Sequence, residues 1–140
     1  SGYTPIMKMY TLGHDFMPPG IHAGGLRYHG DSPLVSQLLH EGRIEALAVP
    51  QVATFEAGVQ FARAEGIIPA PESCHAIRAA IDEALKCKAT GEPKTILFSL
   101  TGHGHFDMAS YDKFFSGQLE DFDYPAEAIA ESLKHLPKVG

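Results

Sequence analysis

The sequence predicts an α/β layer fold, a parallel sheet with flanking helices, and three observations carry that prediction. Helical and strand-like segments alternate along the chain, the pattern that crossover connections produce. The two strand-like segments, Ile44-Glu45-Ala46-Leu47-Ala48-Val49 and Lys94-Thr95-Ile96-Leu97-Phe98-Ser99-Leu100, hold the apolar and β-branched residues that strands favour. Two strands are too few for a free-standing sheet of ordinary size, so the sheet is expected to be incomplete in this chain.

The 140 residues are enough for one ordinary domain, one that buries roughly two-thirds of its unfolded surface. Hydrophobic residues at 44% and charged residues at 20% are globular values and exclude a disordered chain. A formal charge of −6 without Lys/Arg clusters argues against nucleic acid as the partner. No apolar run reaches the roughly 18 residues of a membrane helix, so no membrane partner is expected. Cys74 and Cys87 form no CxxC, which favours a reduced, cytoplasmic pair over a disulfide. The abrupt start, Ser1-Gly2 running directly into Tyr3-Thr4-Pro5, is what a fragment boundary would leave.

Residues 1–31 are rich in Gly, Pro and His, and paired prolines and glycines forbid long regular structure there. A loop of about thirty residues is rare in a compact domain unless it is functional, so this segment reads as a ligand-facing loop. Asp31-Ser32-Pro33 starts a helix with a capping side chain and a first-turn proline; Leu34, Val35, Leu38 and Leu39 form its stripe, and Gly42 ends it. The strand 44–49 stops at Pro50. Helical spacing over 51–65 points Phe55, Val59, Phe61 and Ala62 inward, with Gly66 as the stop. After the connector Ile67-Ile68-Pro69-Ala70-Pro71, the longest helix runs from Glu72 to Ala89 with Ile77, Ala80, Ile81, Ala84 and Leu85 at helical spacing. Glu72 sits at its N-terminus, where the macrodipole favours a carboxylate. The strand 94–100 follows, then Thr101-Gly102-His103-Gly104-His105-Phe106-Asp107. Asp107 is placed to cap a helix over 108–115 containing Tyr111, Phe114 and Phe115. An acidic connector leads to Pro125, which starts a last helix with Ile129 and Leu133 inward that ends near Leu136. The organisation expected is an active-site loop segment over 1–31, an α/β core over 32–116, and a C-terminal extension with its helix over 117–140.

The chemistry concentrates at the end of the second strand, because ligands of parallel α/β sheets bind at the strands' C-terminal edge. His103 and His105 are candidate metal ligands, but no HExxH, CxxC or facial-triad spacing accompanies them. Ser99, Ser73 and Cys74 lie near histidines without a nucleophile elbow, and adjacent helix positions such as Cys74 and His75 point apart. Gly102-x-Gly104 ahead of a helix, and Gly24-Gly25, are both compatible with holding a phosphate.

Four segments carry a family resemblance: His14-Asp15-Phe16-Met17-Pro18-Pro19; Ile21-His22-Ala23-Gly24-Gly25-Leu26-Arg27-Tyr28-His29-Gly30; Ala64-Glu65-Gly66-Ile67-Ile68-Pro69-Ala70-Pro71-Glu72; and Thr101 to Asp107. In order and with few gaps, they resemble the C-terminal part of a tryptophan synthase β-chain, most closely its second, stand-alone subfamily. The resemblance implies a fold-type II enzyme with a three-layer sheet that uses pyridoxal 5′-phosphate to condense L-serine with indole by β-replacement. It implies Thr101 as the hydroxyl facing the cofactor's pyridine nitrogen and Glu72 as a carboxylate near the ring, with Gly102 and Gly25 also in the cofactor-binding set. A hydroxyl, unlike a carboxylate, does not hold the pyridine protonated, and the weaker electron sink suits β-replacement.

Arg27 stands where the commoner subfamily has an Asp that handles the serine hydroxyl; Arg is usual in the second subfamily, and a substrate-handling role is implied. The departure leaves association with an α-chain open. Backbone carbonyls around Tyr28 and Gly30 correspond to a monovalent-cation site in the main family; no other metal is expected. The cofactor lysine and the glycine-rich phosphate loop of the family belong outside the matched segments. Lys8, Lys86, Lys88, Lys94, Lys113, Lys134 and Lys138 occupy none of its cofactor-lysine context. The expected partners are the N-terminal part of the same enzyme and a second copy in a homodimer, and the chain alone is expected to be inactive. Two alternatives stay open: another fold-type II lyase of serine dehydratase or sulfhydrylase type, and a non-catalytic α/β fragment with a histidine metal site.

Overall fold

The structure, a computed structural model, describes Tyr3 and residues 5–137. Ser1, Gly2, Thr4 and Lys138, named above, lie outside the described residues. The described residues form five α-helices: α1 Pro33–His40, α2 Gln51–Glu65, α3 Pro71–Thr90, α4 Met108–Phe115 and α5 Ala126–Lys134. A single 3-10 turn spans Gly24–Leu26.

The helices begin and end where local chemistry places them. Pro33 and Pro71 occupy first-turn positions that need no N–H partner, and Pro50 and Pro125 immediately precede α2 and α5. Gly66 and Gly91 close α2 and α3 in the left-handed conformation, φ 72° and 73°, each donating its N–H back to a carbonyl of the last turn. The expected side-chain caps are absent. Asp31 instead accepts a hydrogen bond from the adjacent Ser32 N–H at 2.6 Å, and Asp107 serves α4 through its backbone carbonyl.

The expected strands correct to irregular backbone. Neither 44–49 nor 94–100 forms a ladder, and pairing among the described residues is limited to two isolated antiparallel bridges, Thr11 with Gly30 and Pro69 with His103. A strand's N–H and C=O groups do not pair within the segment as a helix's do, so apolar alternation without a neighbouring strand yields no sheet. The side chains report the same vacancy of packing: Leu47 is 73% and Leu97 95% exposed. Several expected inward positions are likewise exposed, namely Leu34, Val35 and Leu38 of α1, Ala84 and Leu85 of α3, Phe115 of α4 and Leu133 of α5.

The chain divides into two compact units. One comprises Ser1–Pro19, Arg27–Ala48 and Asp123–Gly140. Within it, Tyr10 and Leu12 clasp the segment around His29: Leu12 N–H donates to His29 O at 3.0 Å, Asp31 N–H to Tyr10 O at 3.1 Å, and Thr11 Oγ1–H to His29 O at 2.6 Å. The buried Ser36 of α1 accepts from Tyr10 N–H at 3.1 Å, and Phe16 meets Tyr124 edge-on at 5.2 Å.

The other unit comprises Gly20–Leu26 and Val49–Phe122 and holds most of the buried side chains. Its centre is Phe55, edge-on to Tyr111 at 5.1 Å and stacked with Phe114 at 5.9 Å, which joins α2 to α4. The side chains of α3 and α4 press so closely on α2 at Gly58 that a Cβ there would lie 2.5 Å from Cys74 Sγ and 2.9 Å from Tyr111 Oη. Thr54 and Ala57 of α2 and Ser73 and Ile77 of α3 are also buried in this unit. Phe98, within the irregular 94–100 segment, packs edge-on against Phe61 at 5.9 Å.

Candidate functional site

Two loop segments converge on the first turn of α3. The connector preceding α3 is buried at Pro69 and Ala70, and the Gly102–Gly104 loop runs against it. Ala70 N–H donates to Gly102 O at 3.0 Å and Gly104 N–H donates to Ile68 O at 2.8 Å. Gly104 needs its missing side chain here: a Cβ would stand 2.5 Å from Pro69 O, 2.9 Å from Ile68 Cγ2 and 3.0 Å from Tyr111 Cε2. Tyr111 holds the same connector from behind, donating to Pro69 O at 2.7 Å.

Ser73, only 1% exposed, ties the loop to the helix. Its Oγ accepts from Thr101 N–H and from Gly102 N–H, both at 3.2 Å, and lies 2.9 Å from Thr101 Oγ1. On the same first turn, Glu72 Oε1 accepts from Gly25 N–H at 2.8 Å, which anchors the 3-10 turn to α3. A Cβ on Gly25 would meet Glu72 Cγ at 3.1 Å. Loop 20–26 is held again at His22, whose N–H donates to Gln51 Oε1 at 3.3 Å and whose Nδ1 lies 3.2 Å from Ser110 Oγ.

Four of the residues expected to bind a cofactor, Thr101, Gly102, Glu72 and Gly25, are thus gathered around one helical turn. Arg27, Tyr28 and Gly30 lie in the other unit, where Arg27 and Tyr28 are exposed and Gly30 bridges Thr11. Sequence reasoning weighed Ser73 only as a nucleophile and missed its place in the network. The signal was there, a hydroxyl in the first turn of a helix, but its partners are 28 and 29 residues away.

The histidines have local partners. His75 Nδ1–H donates to Pro71 O at 3.0 Å, and His103 Nδ1 accepts from His105 N–H at 3.3 Å. The His103 and His105 rings sit 4.8 Å apart, and among the described residues no group of three or more His, Cys, Asp or Glu gathers for a metal. No helix among them is long and apolar enough to cross a membrane.

Cys74 and Cys87 are free thiols. Burial pushes the Cys74 thiol up from its ordinary 9.0, and the Glu72 and Asp107 carboxylates reinforce the shift. Burial also drives the Tyr111 phenol well above its ordinary 10.0, with Cys74 adding to it. Since Tyr111 donates to Pro69 O, the 3.4 Å contact with Cys74 is an S–H donating to Tyr111 Oη. A protonated, buried thiol is not a nucleophile.

The folded chain keeps protons at both groups that the unfolded chain releases above 9.0 and 10.0. The stability they contribute is full below about pH 9 and drains as pH rises. The urea midpoint of the protein carrying this chain is therefore expected to fall between about pH 9 and 11, and Tyr111→Phe to flatten the fall. A midpoint that stays level over that range in the unmodified protein would count against both shifts.

No family model matches the chain. It is 70% identical over 116 residues to tryptophan synthase beta chain 2 of Methanosarcina acetivorans, a match covering 83% of this chain and 26% of that protein. It is 67% identical over 120 residues to tryptophan synthase beta chain 2 of Aquifex aeolicus, covering 86% and 28%. It is 54% identical over 123 residues to the tryptophan synthase beta chain of Pyrococcus horikoshii, covering 88% and 27%. The chain spans about a quarter of the length of the curated relatives it matches. By sequence, the chain matches the C-terminal segment of a tryptophan synthase beta chain of the second subfamily.

Proposed function

We propose that this chain is the C-terminal part of a pyridoxal-phosphate lyase that joins L-serine to indole by β-replacement, giving L-tryptophan. The observation that carries this reading is the Ser73–Thr101–Gly102 network, which holds a Thr hydroxyl at a loop edge beside a helix N-terminus. The residues fit the cofactor. Ser73 already satisfies the backbone of the loop, so the Thr101 hydroxyl is available to an aromatic ring nitrogen, and Glu72 fixes Gly25 close by. When bound, pyridoxal phosphate supplies the electron sink for chemistry at the substrate's β-carbon.

In this reading Thr101, Gly102, Glu72 and Gly25 contact or frame the cofactor, and Arg27 handles substrate. The Tyr28 and Gly30 carbonyls face a monovalent cation. The loop-rich 1–31 segment lines the site, 32–116 is the core and 117–140 the extension. The partners are the N-terminal part of the enzyme, which supplies the cofactor lysine, and a second copy of the enzyme in a homodimer. The two free thiols support a reducing, cytoplasmic setting.

Segments 44–49 and 94–100 each become strands of a three-layer parallel sheet when the rest of the enzyme supplies neighbours. Their exposed Leu47 and Leu97 support this. The test uses the intact enzyme. Turnover of serine is expected to depend on indole and to yield tryptophan, and the amides of 44–49 and 94–100 to be protected from hydrogen exchange. Pyruvate release independent of indole would instead indicate a dehydratase, and unprotected amides would sink the sheet. The 140-residue chain alone is expected to make no tryptophan.

A further inference from the structure

We infer that Ser73 is a positioning residue that sets the direction of the Thr101 hydroxyl, making Thr101 an outward donor. The inference rests on the proposed contact between Thr101 and the cofactor ring, and deepens it.

A serine hydroxyl has one O–H to donate and two lone pairs to receive. Both lone pairs of Ser73 Oγ are engaged, one by Thr101 N–H and one by Gly102 N–H, each at 3.2 Å. Its own hydrogen then has one partner at hand, Thr101 Oγ1 at 2.9 Å. The reverse arrangement, Thr101 donating to Ser73, would ask Ser73 Oγ to accept three hydrogen bonds. Thr101 therefore receives from Ser73, and its own proton turns away, toward the open side of the loop.

Ser73 cannot choose otherwise, because it is enclosed. It is 1% exposed in the first turn of α3, between Glu72 and the fully buried Cys74, so no water competes for its hydroxyl. A hydroxyl that is already accepting is a better donor, because chained hydrogen bonds polarise one another. A ring nitrogen facing Thr101 thus meets a hydrogen and is held in its unprotonated, accepting form. A protonated ring nitrogen would have to use the one lone pair left on Thr101 Oγ1 and would leave the Thr101 hydrogen without a partner. The control lies in a helix 28 residues from the residue it orients.

The experiment uses the intact enzyme loaded with pyridoxal phosphate carrying a 15N label in the ring, and reads the ring nitrogen's chemical shift against pH. In the unmodified enzyme the nitrogen is expected to stay in its hydrogen-bonded, unprotonated range between about pH 6 and 9. Ser73→Ala is expected to raise the apparent pKa of the nitrogen by about one unit, and Ser73→Thr, which keeps the hydroxyl, to restore the original profile. In the cofactor-free enzyme, amide exchange at Thr101 and Gly102 is expected to quicken about tenfold in Ser73→Ala, as their acceptor is lost. Ser73→Cys, close in volume with a weak sulfur acceptor, gives the same readings should the alanine variant fail to fold.

A profile unchanged in Ser73→Ala or Ser73→Cys, while Thr101→Val shifts it, overturns the role of Ser73 and leaves the ring contact standing. A profile that Thr101→Val also fails to move overturns the contact itself, and with it this inference.

Discussion

Replacing Gly104 by alanine is expected to lower the stability of the protein by about 2–3 kcal/mol and to weaken the Thr101 loop, because the new methyl has nowhere to go. The Cβ would be placed 2.5 Å from Pro69 O, a backbone atom of a buried connector, and close to Ile68 and Tyr111. A side chain can rotate away from such a contact. A carbonyl that is also the acceptor for Tyr111 Oη–H at 2.7 Å cannot move without breaking that bond. Nor can the loop retreat freely, since Gly104 N–H is held by Ile68 O and Gly102 O by Ala70 N–H. Backbone strain is not the cause, as Gly104 is not among the glycines with positive φ. Gly24→Ala is the matched control, with open space around its Cβ and an expected change within about 0.5 kcal/mol. Urea denaturation of both variants decides the matter: equal midpoints would mean that the loop accommodates a side chain.

The second large effect is expected at Thr101. Valine has the same shape but no hydroxyl, so Thr101→Val leaves the enclosed Ser73 hydrogen without its acceptor and removes the outward donor together. Leaving a buried polar group unsatisfied costs about 1–3 kcal/mol. In the intact enzyme the affinity for pyridoxal phosphate is expected to drop roughly 5- to 160-fold, the effect of leaving the ring nitrogen's lone pair unpaired at a cost of about 1–3 kcal/mol. Thr101→Ser keeps the oxygen and its proton and is expected to bind within a few-fold of the original. Fluorescence titration of the cofactor-free enzyme measures all three proteins. If the valine variant binds as tightly as the original, the Thr101 hydroxyl does not contact the cofactor.

The helices were readable because their punctuation is local. Pro50, Pro71, Gly66 and Gly91 act through their own φ and N–H groups, and α2 falls on the same residues, Gln51–Glu65, that the spacing predicts. The strands were not, although their apolar alternation is as clear as any helix pattern in the chain. A helix satisfies its own backbone, whereas Ile44–Val49 and Lys94–Leu100 depend on partners that a local pattern cannot supply. The exposed stripe of α1 has a related cause: periodicity tells which face is apolar, not whether anything covers it.

The site divides along the same line. The sequence by itself, through its resemblance to a known family, set the expectation that Thr101, Gly102, Gly25 and Glu72 belong to one cofactor-binding set. Only the tertiary structure decided that Glu72 fastens Gly25, that Gly104 lies against Pro69, and that Ser73 holds the Thr101 loop. Residue type sets what a group can donate or accept. Which of those bonds it makes depends on what the fold places within about 3 Å, and that is settled by packing between residues far apart in the chain.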